Sequence, residues 1–215
     1  MKIKNIIWDW NGTIVDDAPV FVSIMNELLR EYNLKTISLE DYKKCFCFPI
    51  EKYWKTLGFN LSSSEFIKIN MRFISLYRKK MFLSKLQAGC VDVIRYFNEK
   101  NFYQAVLSAS EKNILNHSVG FYKINSYFSS LWGVDNFNAL GKQFLGKKML
   151  ESLKINPNET VLIGDTLYDY QVAQFCGFFC VLVSYGHFNK SRLTFKGGPF
   201  IADSPKKIIT GINLL

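Results

Sequence analysis

Histidine, proline and long apolar runs are scarce in this chain of 215 residues. The only histidines are His117 and His187, and the five cysteines (45, 47, 90, 176 and 180) form an odd set. Neither Cys45-Phe-Cys47 nor Cys176-Gly-Phe-Phe-Cys180 has clustered histidine beside it. Such spacing argues against a zinc site, and reduced, partly buried thiols are expected instead. No apolar stretch approaches the roughly 18–20 residues that a membrane-spanning helix needs, so no membrane partner is expected. The opening MKIKNIIWDWNGT carries an apolar stretch broken by Asp9 and has no small-residue cleavage pattern, which reads as a cytoplasmic chain. No internal repeat or low-complexity tract is visible. With 48% hydrophobic and 21% charged residues, a disordered or fibrous chain is excluded.

Acidic residues are outnumbered, and the net charge is +9. A positive balance favours anionic ligands without naming them. The basic residues are scattered and gather into no single stripe, so a nucleic-acid partner is disfavoured and a small phosphorylated molecule fits as well or better. An oligomeric state is left open.

Five short runs are rich in β-branched and apolar residues: 3–8, 103–107, 130–134, 160–163 and 180–184. Continuous apolar strands of this kind are covered on both faces, as in a parallel sheet. Helical spacing fills the gaps, in Val91-Val93-Ile94-Phe97, in Leu145-Met149-Leu150-Leu153 and across Tyr170 to Phe175. Alternation of this type implies right-handed βαβ units, hence an α/β fold with a doubly wound parallel sheet. Residues 17–85 break the rhythm. They hold no convincing strand, and Phe21, Ile24, Met25, Leu28 and Leu29 sit at helical spacing, as do Ile69, Phe73, Leu76 and Tyr77. Ser62-Ser63-Ser64-Glu65 reads as a helix start. The expected division is therefore a core of residues 1–16 and 86–215 with a helical insert at 17–85.

Four stretches carry candidate chemistry. The first strand ends in Asp9-Trp10-Asn11-Gly12-Thr13, which sets a carboxylate at the sheet edge where ligands bind in such folds, beside a glycine turn with exposed N–H groups. An Asn-Gly turn without a site is the competing reading. Val161-Leu162-Ile163-Gly164-Asp165-Thr166-Leu167-Tyr168-Asp169 adds two carboxylates four apart. With Asp9 these offer oxygen ligands to a hard cation such as Mg²⁺, although either aspartate could simply cap a helix. Ser108, followed by Ala109, closes the 103–107 run and could donate to a phosphate oxygen or cap the next helix. Gly141-Lys142, with Lys147 and Lys148 beyond, offers a cation for a carboxylate and for a transferring group.

In this order the four stretches resemble the motifs of the haloacid dehalogenase superfamily, over nearly the whole chain, and are similar to its phosphoglycolate-phosphatase-like members with a helical cap. The resemblance implies an HAD-like Rossmannoid core, a helical cap over the site, and a Mg²⁺-dependent phosphatase acting on a small phosphorylated metabolite. Asp9 would attack phosphorus and form an aspartyl-phosphate. Asp9, the Asn11 carbonyl, Asp165 and Asp169 would hold Mg²⁺. Ser108, Ala109 and Lys142 would orient the phosphoryl oxygens, with Asn11, Gly12 and Thr13 completing the anion cradle. Lys147 stands as second choice for the lysine. Phe48, Tyr53 and Trp54, with Lys43, Lys44 and Lys52, are the expected substrate contacts in the cap. His117 and His187 are left outside the site.

The sequence departs from the family pattern at Asn11. Phosphatases of this family carry aspartate there as general acid and base, whereas an amide cannot carry the proton. That loss costs on the order of 10²–10⁴ in rate, least for good leaving groups such as acyl or aryl phosphates. Two other readings follow: a weakly active or non-catalytic phospho-ligand binder, and a phosphonatase-type C–P hydrolase using a cap lysine.

Overall fold

The structure, a computed structural model, describes residues 2–135 and 141–215. Six parallel strands form the central sheet: β1 (Asn5–Trp8), β4 (Tyr103–Glu111), β5 (Ser130–Val134), β6 (Thr160–Gly164), β7 (Phe179–Val183) and β8 (Phe200–Ala202), in the order β5-β4-β1-β6-β7-β8. The chain winds outward from β1 through β4 to β5, then crosses back to β6 on the other side of β1. That reversal makes the β1/β6 junction a switch point, the position at which open α/β sheets bind ligands.

Apolar alternation explains the burial on both faces. Ile6 and Trp8 of β1 join Val106, Val161 and Ile163 in one core cluster, under α5 (Cys90–Glu99), α6 (Lys112–Phe121) and α9 (Pro205–Asn213). Ile7, Ala105 and Leu162 face the opposite cluster, with α7 (Lys142–Leu153) and α8 (Leu167–Cys176). Successive side chains of a strand point to opposite faces, so a strand covered on both sides must be apolar throughout.

Between β2 (Val15–Asp16) and β3 (Lys85–Leu86) the elements are all helical: α1 (Ala18–Glu31), α2 (Leu39–Cys45), α3 (Ile50–Thr56), α4 (Ser63–Lys80) and a short 3₁₀ turn. The start of α4 is a capping box, with Ser62 Oγ accepting from the Glu65 N–H and the Glu65 carboxylate accepting from the Ser62 N–H. Arg78, Lys79 and Lys80 close it, where cations meet the negative end of the helix dipole. These helices bring Leu28, Trp54, Ile69 and Tyr77 into the same apolar cluster as Ile7 of the sheet.

Some expectations shift. The first strand begins at Asn5 rather than Ile3, and the strand expected at 180–184 lies one residue earlier. Strand β4 runs on to Glu111, past an irregularity after Leu107, so Ser108 and Ala109 lie within it. The expectation of no strand in 17–85 fails at its edge: Val15–Asp16 pairs antiparallel with Lys85–Leu86 and ties the two ends of the helical segment together. A two-residue strand is too short to leave a periodic signal. The three-residue β8 is likewise too short to show one.

Candidate functional site

Asp9 follows β1 and Asp165 follows β6, on neighbouring strands. The register sets Trp8 opposite Ile163, and the Asp9 N–H donates to the Ile163 carbonyl at 2.8 Å. Two carboxylates far apart in the chain thus leave the sheet side by side. Asp169 enters from the first turn of α8. One oxygen from each of the three lies within 4.8 Å of the others, and all three residues are buried.

Lys142, the first residue of α7, is buried with them. Its Nζ donates to Asp9 Oδ1 at 2.5 Å and to Asp169 Oδ1 at 2.6 Å. Lys147 does not reach the cluster; its ammonium rests 4.7 Å from the centre of the Phe175 ring. At 100° per residue, five positions along a helix turn a side chain to a different face. Burial pushes the Asp9 carboxyl above its usual range, with Lys142 pulling it back and Asp169 adding to the rise. Burial also raises Asp165, opposed by His187 and reinforced by Asp9 and Asp169. Burial works against the charge on Lys142, yet Asp169 and Asp9 hold it above its ordinary value. Three buried carboxylates around one ammonium are short of positive charge, and a hard oxygen-ligand set of this kind fits a divalent cation.

Asp169 does two things at once. Its Oδ2 accepts from the Thr166 N–H at 3.0 Å and from Thr166 Oγ1 at 2.7 Å, capping α8, while Oδ1 takes the lysine. Asp169 thus caps α8 and also faces the other two carboxylates. Gly164 is needed for this approach, because a Cβ there would collide with the Asp169 side chain. At Gly12, φ is +77°, and a Cβ would run into Asp165 and the His187 ring.

The rest of the Asp9 loop is engaged differently from expectation. Thr13 Oγ1 donates to Asp9 Oδ2 at 3.1 Å. The Gly12 N–H, expected to cradle an anion, is taken by the Val15 carbonyl at 2.8 Å and by Asp17 Oδ1 at 2.9 Å. Ser108 is buried, and its Oγ accepts from the Ser110 N–H at 3.0 Å, which leaves the hydroxyl proton to give. Ala109 and Ser110 line the cleft. The Asn11 amide joins three parts of the chain. Nδ2 donates to Asp17 Oδ2 at 2.5 Å and to the Tyr77 hydroxyl of α4 at 2.6 Å, while Oδ1 accepts from Ser110 Oγ at 2.7 Å.

His187, left outside the site by the sequence reading, belongs to its wall. Its N–H donates to Asp165 Oδ2 at 2.5 Å, and its ring lies between the Tyr42 hydroxyl at 2.7 Å and Asp17 Oδ1 at 3.2 Å. Burial would strip its charge, but the bond to Asp17 and the charges of Asp17, Asp165 and Asp9 raise its pKa to about 9. Asp17, itself opposed by burial, is held below the usual carboxylate range by His187, Asn11 and Tyr77. Tandem Asp16-Asp17 and Tyr185-Gly186-His187 were visible signals, but only the folded chain puts 17 against 187. His117 is exposed, packed on Phe82, and stays outside.

A cleft opens over the cluster between the sheet edge and α1–α4, with about 1090 Å³ of empty space including its mouth. Phe48, Tyr53 and Trp54, the residues expected to contact substrate, line it together with Phe21, Phe46 and Phe73. The expected lysines do not. Lys43 Nζ donates to the Tyr185 carbonyl, Lys44 pairs with Glu40 at the surface, and Lys52 is exposed. Their long stems gain nothing by burying a charge against aromatic rings. Among the described residues, Lys142 is the only lysine lining the cleft.

The family model described as haloacid dehalogenase-like hydrolase matches residues 6–183. A phosphoglycolate phosphatase of Synechococcus elongatus is 20% identical over 218 residues, covering 99% of each chain. A pyrophosphatase of Anoxybacillus flavithermus is 20% identical over 178 residues, 82% of this chain and 81% of its own. Among solved structures, a protein of Clostridium acetobutylicum described as a predicted phosphatase superposes with a TM-score of 0.84 at 21% identity, covering all of both chains. At that identity the likeness speaks for the fold. No helix of the described residues is long and apolar enough to cross a membrane.

Proposed function

Because the chain belongs to the haloacid dehalogenase-like hydrolases, we propose that it is a cytoplasmic, Mg²⁺-dependent phosphatase that hydrolyses a small phosphorylated metabolite through an aspartyl-phosphate on Asp9. The observation that carries this reading is the buried cluster of Asp9, Asp165, Asp169 and Lys142 beside the carboxyl ends of β1 and β6, opening on a cleft. Residues 1–16 and 86–215 form the catalytic core in this reading, and 17–85 form the cap that shapes the cleft.

Asp9, Asp165, Asp169 and the Asn11 carbonyl would hold Mg²⁺, which would neutralise charge on the phosphoryl group and leave Asp9 ionised. Lys142, already on Asp9 Oδ1, holds the carboxylate in place and offers a second cation to the phosphoryl oxygens. Thr13 orients the other Asp9 oxygen. The Ser108 hydroxyl and the backbone at Ala109 would receive the remaining phosphoryl oxygens. The helical wall keeps bulk water from the phosphorus while Asp9 attacks. The names of the relatives, phosphoglycolate phosphatase and pyrophosphatase, support phosphoester or phosphoanhydride hydrolysis as the reaction class.

Asn11 favours one second reading, a phospho-ligand binder of weak activity, since its amide is bound up with Asp17, Tyr77 and Ser110 and carries no proton. The phosphonatase reading has no lysine of residues 17–85 in the cleft to support it. Phosphate release from acetyl phosphate with Mg²⁺ separates the first two. The hydrolase turns it over, and Asp9→Asn lowers the rate by on the order of 10³ or more. Equal inertness of both proteins, with inorganic phosphate still binding, would establish the binder.

A further inference from the structure

We infer that the leaving half of the substrate is an uncharged aromatic alcohol, so that this chain is an aryl phosphatase rather than one for small carboxylated phosphates or for pyrophosphate. The inference rests on the reading of Asp9 as nucleophile, and two independent observations carry it.

The first is the wall opposite the carboxylates. Phe21, Phe46, Phe48, Ile50, Trp54 and Phe73 make it mostly aromatic, with the uncharged Asn70 amide among them. A substrate carboxylate or second phosphate would need a cation there. Among the described lining residues the cations are Lys142, held by two aspartates, and His187, held by Asp17. A buried anion without a partner is costly, whereas a flat ring against aromatic edges gains both burial and ring contacts.

The second is that, among the described residues lining the cleft outside the carboxylate cluster, no carboxylic acid or imidazole is free to give a proton. Asn11 stands where an acid would act, and its amide is fully engaged. Both ring nitrogens of His187 are taken, by Tyr42 and Asp17. The Tyr77 hydroxyl donates to Asp17. Glu111, at the edge of the cleft, caps α6 and pairs with Arg78. With no such group left to protonate it, a leaving oxygen departs largely without acid catalysis. A phenol ionises near about 10, while an alkyl alcohol ionises close to the value of water, about 15.7. Only the former leaves readily as its anion.

The steps balance as follows. An Asp9 carboxylate oxygen bonds to phosphorus as the P–O(aryl) bond breaks, its electron pair going to the phenolate, which takes a proton from solvent. A water oxygen then bonds to phosphorus, the P–O bond to Asp9 breaks with its pair returning to the carboxylate, and the water proton passes to solvent. The products are a phenol and inorganic phosphate.

The test measures kcat/KM with Mg²⁺ for phenyl phosphate, 2-naphthyl phosphate, glycerol phosphate, phosphoglycolate and pyrophosphate, with acetyl phosphate as reference. Aryl esters should exceed the other three by on the order of 100-fold. Leaving-group acidity alone would favour aryl esters, so a second readout isolates the wall: phenylphosphonate should inhibit acetyl phosphate turnover about 10-fold more tightly than phosphonoacetate. If acetyl phosphate is cleaved but phosphoglycolate or pyrophosphate matches the aryl esters, or phosphonoacetate binds as tightly, the aryl inference is overturned and the hydrolase reading stands. If no substrate is cleaved, both are overturned.

Discussion

Asn11→Asp would appear to restore the missing acid, and in this chain it should instead damage the protein. The amide Nδ2 sits 2.5 Å from Asp17 Oδ2 and 2.6 Å from the Tyr77 hydroxyl, so the substitution replaces a donor with a second carboxylate facing a buried, ionised one. Two unit charges about 4 Å apart repel by about 4 kcal/mol at an effective dielectric of about 20. The lost charge-assisted hydrogen bond adds about 1.5–3 kcal/mol. The pair escapes part of this by sharing one proton, as paired carboxylates do. A net loss of about 2–4 kcal/mol remains near neutral pH, where that proton is hardest to hold. For a protein of this size each kcal/mol moves Tm by about 2–4 °C, so thermal unfolding at pH 8 should fall by roughly 4–16 °C, and by less at pH 5. Turnover of an alkyl phosphate should gain little. Adding Asp17→Asn gives the new carboxylate an N–H to accept from and keeps an oxygen for the Gly12 N–H and the His187 ring. The double variant should recover most of the Tm and turn over an alkyl phosphate at least about 10-fold faster than wild type, toward the 10²–10⁴ that a placed acid contributes. A single variant that melts within about 1 °C of wild type and is also faster on alkyl phosphate would refute the network as drawn.

Lys142→Met leaves Asp9 and Asp169 buried without their shared cation, at a cost of about 3–5 kcal/mol; calorimetry should show the drop, with Mg²⁺ restoring part of it. Lys147→Met, on the surface over Phe175, should stay within about 0.5 kcal/mol of wild type. The pH dependence of the metal-free protein follows from His187, whose pKa rises from 6.5 to about 9 on folding. Its contribution is complete below pH 6.5 and is lost as pH rises through about 9, so Tm should fall across that window and the fall should be shallower in His187→Gln. Asp9 and Asp165, raised by burial, push in the same direction. Mg²⁺ displaces protons from them at low pH, so it should raise Tm more at pH 8 than at pH 5.5.

Much of the site could be read from residue order because it hangs on strand ends. An apolar run followed by an acid says where that acid goes: to the carboxyl edge of a parallel sheet. Asp9 and Asp165 are such cases. Asp169 was legible as a carboxylate four residues on, and Ser62 with Glu65 as a helix start, since capping is a matter of local spacing. The +9 charge, by contrast, proved uninformative about the cleft, which holds few cations.

What the amino-acid order determined by itself was local: the strand and helix periods, the caps, the turn at Gly12, and the chemical kind of each candidate group. What only the folded chain decided was which groups meet. Lys142 rather than Lys147 reaches Asp9 because helix α7 turns one inward and the other outward. Asp17 and His187, separated by 170 residues, become an ion pair, and Asn11 spends its amide between α4 and β4. Lys43, Lys44 and Lys52 stay outside the cleft, whose wall is filled by aromatic side chains. Local structure depends on neighbours a few residues away, and so it can be read along the chain. Charge pairing in a buried site depends on directions in space that no spacing encodes, because burying a charge is tolerated only where a partner arrives from another element.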